Sequence, residues 1–383
     1  MTFGVLTVIV IAGLGGPLLS ASERVLVPVV VGELLAGLVI GRTGFHLVHP
    51  ADPTLAFMAA IGFAMLMFGA GMHVPLRTPH LGTRLVRGSI AAGIAGVFAA
   101  IAGVAAAKIS GLPHGAVYAV VLASGSAAVL VPSLQEANLL ERKEGLIVAA
   151  QVSVADVAAI VAVPLALSPA HALRALLGAC AVAACAVALY FGIRVVGTAG
   201  WLDQIRHLSK DRSWALDLRL SLIVLFGLSW LALRSGASIL IAGFAVGLVV
   251  AAVQGPKRLS GQVTGIGNGF FVPLFFVVLG ARIDVRALAH GSLIAFAALL
   301  VVFNVVLHLA AAALTKQPLA AGLAATVQLG VPAAVASLGL QTGVVSPGAA
   351  AAIMAAALVS IAVSGLGVSL LDRKAEVATA SVV

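Results

Sequence analysis

The chain has 383 residues, of which 62% are hydrophobic and only 9% are charged. A soluble domain carries about 25% charged residues, so this composition excludes a water-soluble protein and makes membrane lipid the main solvent. The net charge of +9 does not indicate a nucleic-acid partner, because the Lys and Arg residues lie in loops between apolar runs, where they orient a membrane protein.

The apolar runs predict 13 membrane-spanning helices. A helix satisfies its own backbone in lipid and needs roughly 20 apolar residues to cross the bilayer. The first run has no basic segment before it, so we expect a retained span and not a cleaved signal peptide. The predicted spans are 3–20, 25–41, 55–73, 86–109, 114–133, 144–167, 171–199, 214–233, 236–253, 263–281, 288–314, 319–341 and 348–371.

The charges in the loops predict the orientation. Loops after odd-numbered spans contain about fifteen Lys and Arg residues, and loops after even-numbered spans contain about six. Cytoplasmic loops carry the excess of positive charge. We therefore expect a multi-pass inner (plasma) membrane protein with its N-terminus outside and its C-terminus in the cytoplasm. The longest polar loop, 203–212, separates two halves.

The two halves resemble each other in sequence. Residues 34–41 match 240–247 at an offset of 206, and 127–129 match 333–335 at the same offset. The shift equals seven spans, an odd number, so the two copies have opposite orientation, as in many secondary transporters. We predict one transmembrane domain over 1–383. Its parts are a first repeat 1–167, a linker helix 171–199 and a second repeat 214–371.

The fifth and twelfth spans are predicted to be discontinuous. The fifth contains Ser124-Gly125-Ser126 and then Pro132, and the twelfth contains Gly330-Val331-Pro332 and then Gly339. Gly and Pro weaken a helix and free backbone groups. Interrupted segments at matching positions of two repeats point to a binding site near mid-membrane, although ordinary proline kinks would give the same pattern.

Asp156 lies near the middle of the sixth span. A carboxylate at that depth is costly and marks a functional site by default. It can hold a proton or a hard cation, which prefers oxygen ligands, and this competition is what an exchanger requires. We therefore predict Asp156 as the proton site and as a low-affinity Na+ or K+ site, with Ser124, Ser126 and Ser153 completing the shell. A structural Asp hydrogen-bonded between helices is the alternative.

Other residues are predicted to line or support the pathway. Asn304 and His308 lie one helical turn apart on one face, where interhelical hydrogen bonds are an equal alternative. For Glu33 and Gln328, a role in the ion pathway and a purely structural role are equal alternatives. No zinc motif, phosphate loop or nucleophile elbow is found, so neither a cofactor nor enzymatic activity is expected. The full pathway or support set is Ala155, Gln151, Asn304, His308, Glu33, Gln328, Pro132 and Pro332.

Two segments resemble the monovalent cation:proton antiporter-2 family of the sodium/hydrogen exchanger superfamily. Residues 27–41 are similar to its second-helix signature, and residues 275–284 to the end of its tenth helix. The resemblance implies a core with crossed, partly unwound fifth and twelfth spans and an ion-binding aspartate at Asp156. It also implies a dimerising panel that includes the first, second, eighth and ninth spans, and an elevator-type movement that exposes Asp156 alternately to each side.

The chain departs from that family at two positions. Electrogenic members have a second aspartate where this chain has Ala155. Many members have Lys or Arg at a position that aligns with Asn304 or, in an alternative register, with His308. One carboxylate exchanges one proton for one monovalent cation, so we predict electroneutral antiport. The tail after Lys374 is short, so no soluble C-terminal regulatory domain is expected. A sodium-coupled organic-anion (bile-acid-type) symporter of related fold and an intramembrane enzyme are the alternatives.

Overall fold

The computed structural model describes residues 1–21, 29–72, 81–196, 214–253, 257–283, 286 and 291–380. Over these residues the chain forms helices and turns, and none of them is in a β-strand. The polar loop 203–212 lies outside the described residues, as do positions 27, 28 and 284 of the two family signatures. The fold is therefore all-α, as predicted.

The α-helices are numbered in chain order. They are α1 (Phe3–Gly13), α2 (Gly15–Ser20), α3 (Val29–Ile40), α4 (Pro53–Met72), α5 (Leu81–Ser110), α6 (Gly115–Ala123), α7 (Ala127–Glu136), α8 (Lys143–Leu167), α9 (Ala172–Val196), α10 (Leu216–Ser235), α11 (Ile239–Val253), α12 (Lys257–Ile266), α13 (Val272–Arg282), α14 (Gly291–Leu314), α15 (Leu319–Ala324), α16 (Gly330–Thr342) and α17 (Pro347–Ala380). Short 3₁₀ turns at Leu139–Glu141 and Pro169–His171 precede α8 and α9, and a π-helical turn at Gly267–Phe271 joins α12 to α13.

Among the described residues, ten helical segments are long and apolar enough to cross a membrane, and α3 and α11 are shorter apolar helices. The predicted twelfth span corresponds to two shorter pieces, α15 and α16. The chain is therefore a multi-span integral membrane protein, and each predicted span has a helical counterpart. The exact number of thirteen crossings stays a prediction.

Tertiary contacts group the helices into two compact units. The larger contains α1–α3, α5–α8, the part of α13 from Phe276 onward, and α14–α17. The smaller contains α4, α9–α12 and the first residues of α13. The expected panel of the first, second, eighth and ninth spans does not form one unit, because the first two spans group with the larger unit. The domain boundaries predicted from the sequence stay a prediction.

Glycines allow close helix packing within each unit. In the larger unit, a Cβ at Gly37 of α3 would overlap the carbonyl group of Val277 in α13. In the smaller unit, a Cβ at Gly243 of α11 would overlap the carbonyl group of Ala64 in α4. Small residues let membrane helices approach this closely. Gly37 and Gly243 are separated by the 206-residue repeat offset, so equivalent positions of the two halves perform the same packing role.

The start of α4 shows how local sequence sets a helix boundary. The Asp52 carboxylate accepts hydrogen bonds from the backbone N–H groups of Thr54 (2.9 Å) and Leu55 (3.1 Å). Pro53 occupies the first helical position, where its missing N–H removes no intrahelical bond. The Asp-Pro pair therefore caps and starts the third predicted span.

Candidate functional site

The first helix break lies between α6 and α7, where the sequence predicted it. Ser124 and Ser126 have extended backbone conformations, with φ −74° and ψ 157° at Ser124 and φ −140° and ψ 91° at Ser126. Gly125 lies against α8, and a Cβ there would come within 2.8 Å of the Val152 carbonyl oxygen. Pro132 lies inside α7 and does not cause the break. The extended segment depends on the small size of Gly125.

Asp156 of α8 points to the first turn of α7. Its side chain is only 3% exposed, and its Oδ2 accepts a hydrogen bond from the N–H of Ala127, the first residue of α7, at 3.3 Å. The positive end of a helix dipole stabilises a negative charge at this position. Its Oδ1 is buried and has no hydrogen-bond partner within the described part of the chain. A buried acceptor without a hydrogen bond destabilises the fold, and a bound proton or cation would remove this cost.

The three predicted serine ligands are buried around the break and along α8. The Ser124 hydroxyl donates to the Val121 carbonyl oxygen at 2.7 Å, and the Ser153 hydroxyl donates to the Ala149 carbonyl oxygen at 2.8 Å. Ser126 precedes Ala127 directly, and its side chain makes no capping hydrogen bond to α7. A hydroxyl that donates one bond retains acceptor lone pairs. All three can therefore offer oxygen to a cation, and their ligand role stays a prediction.

The second helix break lies at residues 325–329, between α15 and α16. The sequence placed it at Gly330-Val331-Pro332, a few residues too late. Gly330 begins α16 and Pro332 is its third residue. The first N–H groups of a helix have no intrahelical acceptor, so a proline in this turn removes no backbone bond. The prediction was right about the span and wrong about the residues that interrupt it.

Buried side chains satisfy the backbone groups that the two breaks release. The Asn304 amide of α14 donates to the Thr326 carbonyl oxygen at 2.8 Å. The Gln328 amide nitrogen lies 3.1 Å from the Asn304 side-chain oxygen and 3.2 Å from the Leu122 carbonyl oxygen at the end of α6. The Gln328 N–H donates to the Ser360 hydroxyl of α17 at 3.0 Å. Neutral side chains thus connect both breaks with α14 and α17.

His308, Glu33 and Gln151 are also buried, but the structure shows no hydrogen bond from them to Asp156 within the described chain. His308 Nδ1 lies 2.9 Å from the Asn304 main-chain oxygen one turn earlier. Glu33 of α3 packs against Gly16 of α2, and its Oε2 has no partner among the described residues. Gln151 lies in α8 next to Gly88 of α5. Asn304 and Gln328 therefore form hydrogen bonds that connect the helix breaks, whereas His308, Glu33 and Gln151 form none of these bonds among the described residues.

No prediction from the sequence included the polar residues that hold the second break. Ser360 and Ser364 lie one turn apart on one face of α17, a spacing that could have indicated a polar contact. Ser364 donates to the Ala324 carbonyl oxygen at 2.7 Å, and Ser360 binds Gln328. The sequence could not have indicated the N–H of Ala127 as a partner of Asp156, because every residue except proline has a backbone N–H.

Comparison with known proteins identifies the family of this arrangement. A family model described as sodium/hydrogen exchanger, transmembrane, matches residues 6–374. The candidate Na(+)/H(+) antiporter YjbQ of Bacillus subtilis (strain 168) is 26% identical over 93% of this chain. The glutathione-regulated potassium-efflux system protein KefC of Salmonella paratyphi B is 27% identical over 69% of this chain. The chain spans 61% of the length of YjbQ and 43% of the length of KefC.

A solved structure shares the fold. The sodium proton antiporter MjNhaP1 of Methanocaldococcus jannaschii, determined at pH 8, superposes with a TM-score of 0.63. The match covers 97% of both chains at 17% sequence identity. The resemblance that the two sequence segments indicated is confirmed at the level of the family and the fold.

Proposed function

The chain belongs to the sodium/hydrogen exchanger family, and from this premise we propose that it exchanges a monovalent cation, Na+ or K+, for protons across the bacterial inner membrane. The names of its relatives support this cation class, since one is a candidate Na(+)/H(+) antiporter and another a potassium-efflux protein. A sodium-coupled organic-anion symporter is not supported, because the names of these relatives describe the transport of inorganic cations and not of an organic anion.

The observation that carries the proposal is the unequal environment of the two Asp156 oxygens. Oδ2 accepts the N–H of Ala127 at the start of α7, whereas Oδ1 is buried without a partner among the described residues. The helix N-terminus favours the ionised carboxylate, and the apolar surroundings require that this charge be neutralised. A proton on Oδ1 and a cation on Oδ1 both do so, and each excludes the other. This exclusion couples the two fluxes.

Alternating access requires that the site move without losing its shape. Asn304, Gln328 and Ser360 tie α14, α17 and both helix breaks together through buried hydrogen bonds. Such a network favours movement of these helices as one body, because bending at a break would leave buried polar groups unpaired. We infer an elevator-type movement that exposes Asp156 to one side of the membrane at a time.

Three finer features belong to the same proposal. Exchange is electroneutral, because Ala155 supplies no second carboxylate next to Asp156. The N-terminus lies outside and the C-terminus in the cytoplasm, because the positive charges concentrate in the odd-numbered loops. The protein is a homodimer in the membrane, as its family resemblance implies.

Everted membrane vesicles with a pH-sensitive dye test the proposal. Addition of Na+, K+ or Li+ should dequench the dye with wild-type protein and should fail to do so with Asp156→Asn, since an amide cannot exchange a proton for a cation. Glu144→Gln is the matched control, because it removes an exposed carboxylate from the first turn of the same helix and should leave exchange unchanged. Equal dequenching by wild type and Asp156→Asn would remove Asp156 from the mechanism.

A further inference from the structure

A second polar site lies in the smaller unit, where α9 begins and α10 ends. A cavity of about 440 Å³ is lined there by His171, Arg174, Leu177, Gly178 and Ser235, among others. Gly178 makes room for the end of α10, because a Cβ at this position would come within 2.6 Å of the Ser235 hydroxyl. The cavity contains no residue of the antiport site.

The Arg174 side chain is held in place at this cavity. Its stem lies over Gly236, which ends α10 in the left-handed conformation at φ 81°. One guanidinium nitrogen donates to the Arg234 carbonyl oxygen at 3.2 Å, a common way to satisfy the last carbonyls of a helix. A guanidinium has five N–H donors, and no carboxylate pairs with Arg174 in the described part of the chain. The remaining donors are available to an anion.

Arg234 contributes its carbonyl oxygen to the Arg174 bond and does not line the cavity, but its side chain indicates the depth of the cavity in the membrane. The Arg234 guanidinium lies 5.4 Å from the centre of the Trp230 ring, within the range of a cation–π contact. Trp230 is 62% exposed. Exposed tryptophans of membrane proteins are enriched at the membrane–water interface. Arg174, which is bonded to the Arg234 carbonyl oxygen, therefore lies near the depth of the lipid headgroups.

An apolar strip continues from the cavity along α9. Leu173 and Leu177 are one helical turn apart, and they are 71% and 61% exposed. Both belong to the lining of the cavity. Since side chains at i and i+4 share one helix face, the strip runs from the charged end of the cavity toward the middle of the span.

We propose that this cavity binds an anionic phospholipid, with the phosphate group on Arg174 and an acyl chain along Leu173 and Leu177. Arginine binds phosphate through parallel, charge-assisted hydrogen bonds. Basic pockets between membrane helices bind anionic headgroups. A free phosphate ion would fill the polar end but would leave the leucine strip uncovered, so the apolar strip favours a lipid.

Lipid titration of the purified, delipidated protein in detergent tests this site. The thermal unfolding midpoint is measured with phosphatidylglycerol, phosphatidylcholine or inorganic phosphate. Phosphatidylglycerol should raise the midpoint of wild type more than phosphatidylcholine does, and inorganic phosphate should have no effect. Arg174→Gln should weaken the apparent affinity for phosphatidylglycerol by about tenfold or more, since it removes a charge-assisted bond. Arg194→Gln, at the other end of the same helix, should respond as wild type.

Arg234→Gln provides a second control, because it removes a charge outside the cavity lining and leaves the main-chain carbonyl that Arg174 caps. It should keep most of its affinity for phosphatidylglycerol. An equal response to phosphatidylcholine, an equal response to inorganic phosphate, or full phosphatidylglycerol affinity in Arg174→Gln would overturn the proposal. These readouts do not involve transport, so their failure would leave the proposed antiport untouched.

Discussion

The Gln328 amide donates a hydrogen bond to the Leu122 carbonyl oxygen at 3.2 Å, and the two residues are 206 positions apart. The same offset aligns the two sequence repeats, so Leu122 and Gln328 are equivalent residues of the two halves. In a pair of repeats related by a two-fold axis, equivalent residues touch only close to that axis. If the two halves are the inverted repeats that the sequence predicts, their axis passes close to the point where the two broken helices approach each other.

Gln328→Leu should destabilise the protein and slow exchange. The substitution leaves the Leu122 carbonyl and the Asn304 side-chain oxygen without this donor. A buried polar group left unpaired costs about 1–3 kcal/mol. Thermal unfolding in detergent measures the effect. Gln341→Leu is the control, because Gln341 is exposed and donates its side-chain hydrogen bond to Ser337 of its own helix, and it should change the midpoint little. An equal loss in both variants would contradict this role of Gln328.

Two glycines of α17 give a matched test of packing at the second break. A Cβ at Gly367 would overlap the main chain of Leu323 and Ala324 at the end of α15, whereas a Cβ at Gly365 meets nothing within 4 Å. Gly367→Ala should push α17 away from the break and lower stability by about 1–3 kcal/mol. Gly365→Ala should have little effect or stabilise slightly. Thermal unfolding and exchange activity are measured for both, and similar behaviour would show that the close contact is dispensable.

How much the sequence could predict depended on the kind of interaction. Hydropathy predicted the spans, since lipid imposes one strong constraint on every helix. Asp156 was found because a carboxylate stands out in an apolar run, and the first break because Ser124-Gly125-Ser126 disfavours a helix. The second break was misplaced, because residues 325–329 contain neither Gly nor Pro. The backbone of these residues is held by partners such as Asn304 and Ser360, which only the tertiary structure brings together.

Exchange should be insensitive to membrane voltage. A cycle that moves one net charge would gain or lose about 2.3 kcal/mol per 100 mV, and a one-for-one exchange moves none. Proteoliposomes with an imposed potential and a fixed pH gradient measure the rate. A wild-type rate that scales with voltage would contradict the prediction.

Ala155, the residue before Asp156, allows a gain-of-function test of electroneutral exchange. Ala155 lines a cavity of about 400 Å³ between α5, α6 and α8, and most of the other lining residues are alanine and glycine. A larger side chain has room there. Ala155→Asp should add a second proton site and make the rate voltage-dependent. Asparagine has nearly the same size as aspartate without the charge, so exchange by Ala155→Asn should remain insensitive to voltage. Voltage dependence in the Asn variant would point to packing and not to charge.

Competition for one carboxylate sets how exchange responds to pH. If a proton and a cation both bind Oδ1 of Asp156, protons act as competitive inhibitors on the side where the cation loads. Lowering the pH should then raise the apparent KM for the cation, by about tenfold per pH unit once the carboxyl group is mostly protonated, and leave the maximal rate unchanged. Initial rates of dye dequenching over a range of cation concentrations, from about pH 6 to about pH 9, give both parameters.

Ser126→Ala separates the cation shell from the proton site in this assay. The variant removes a hydroxyl next to Ala127 but leaves Asp156 and its bond to α7 in place, so the KM should rise by a similar factor at every pH. The slope of KM against pH should stay that of wild type, since the proton still competes for the same oxygen. A wild-type KM that does not change with pH would mean that proton and cation occupy separate sites, and the single-carboxylate mechanism would fail.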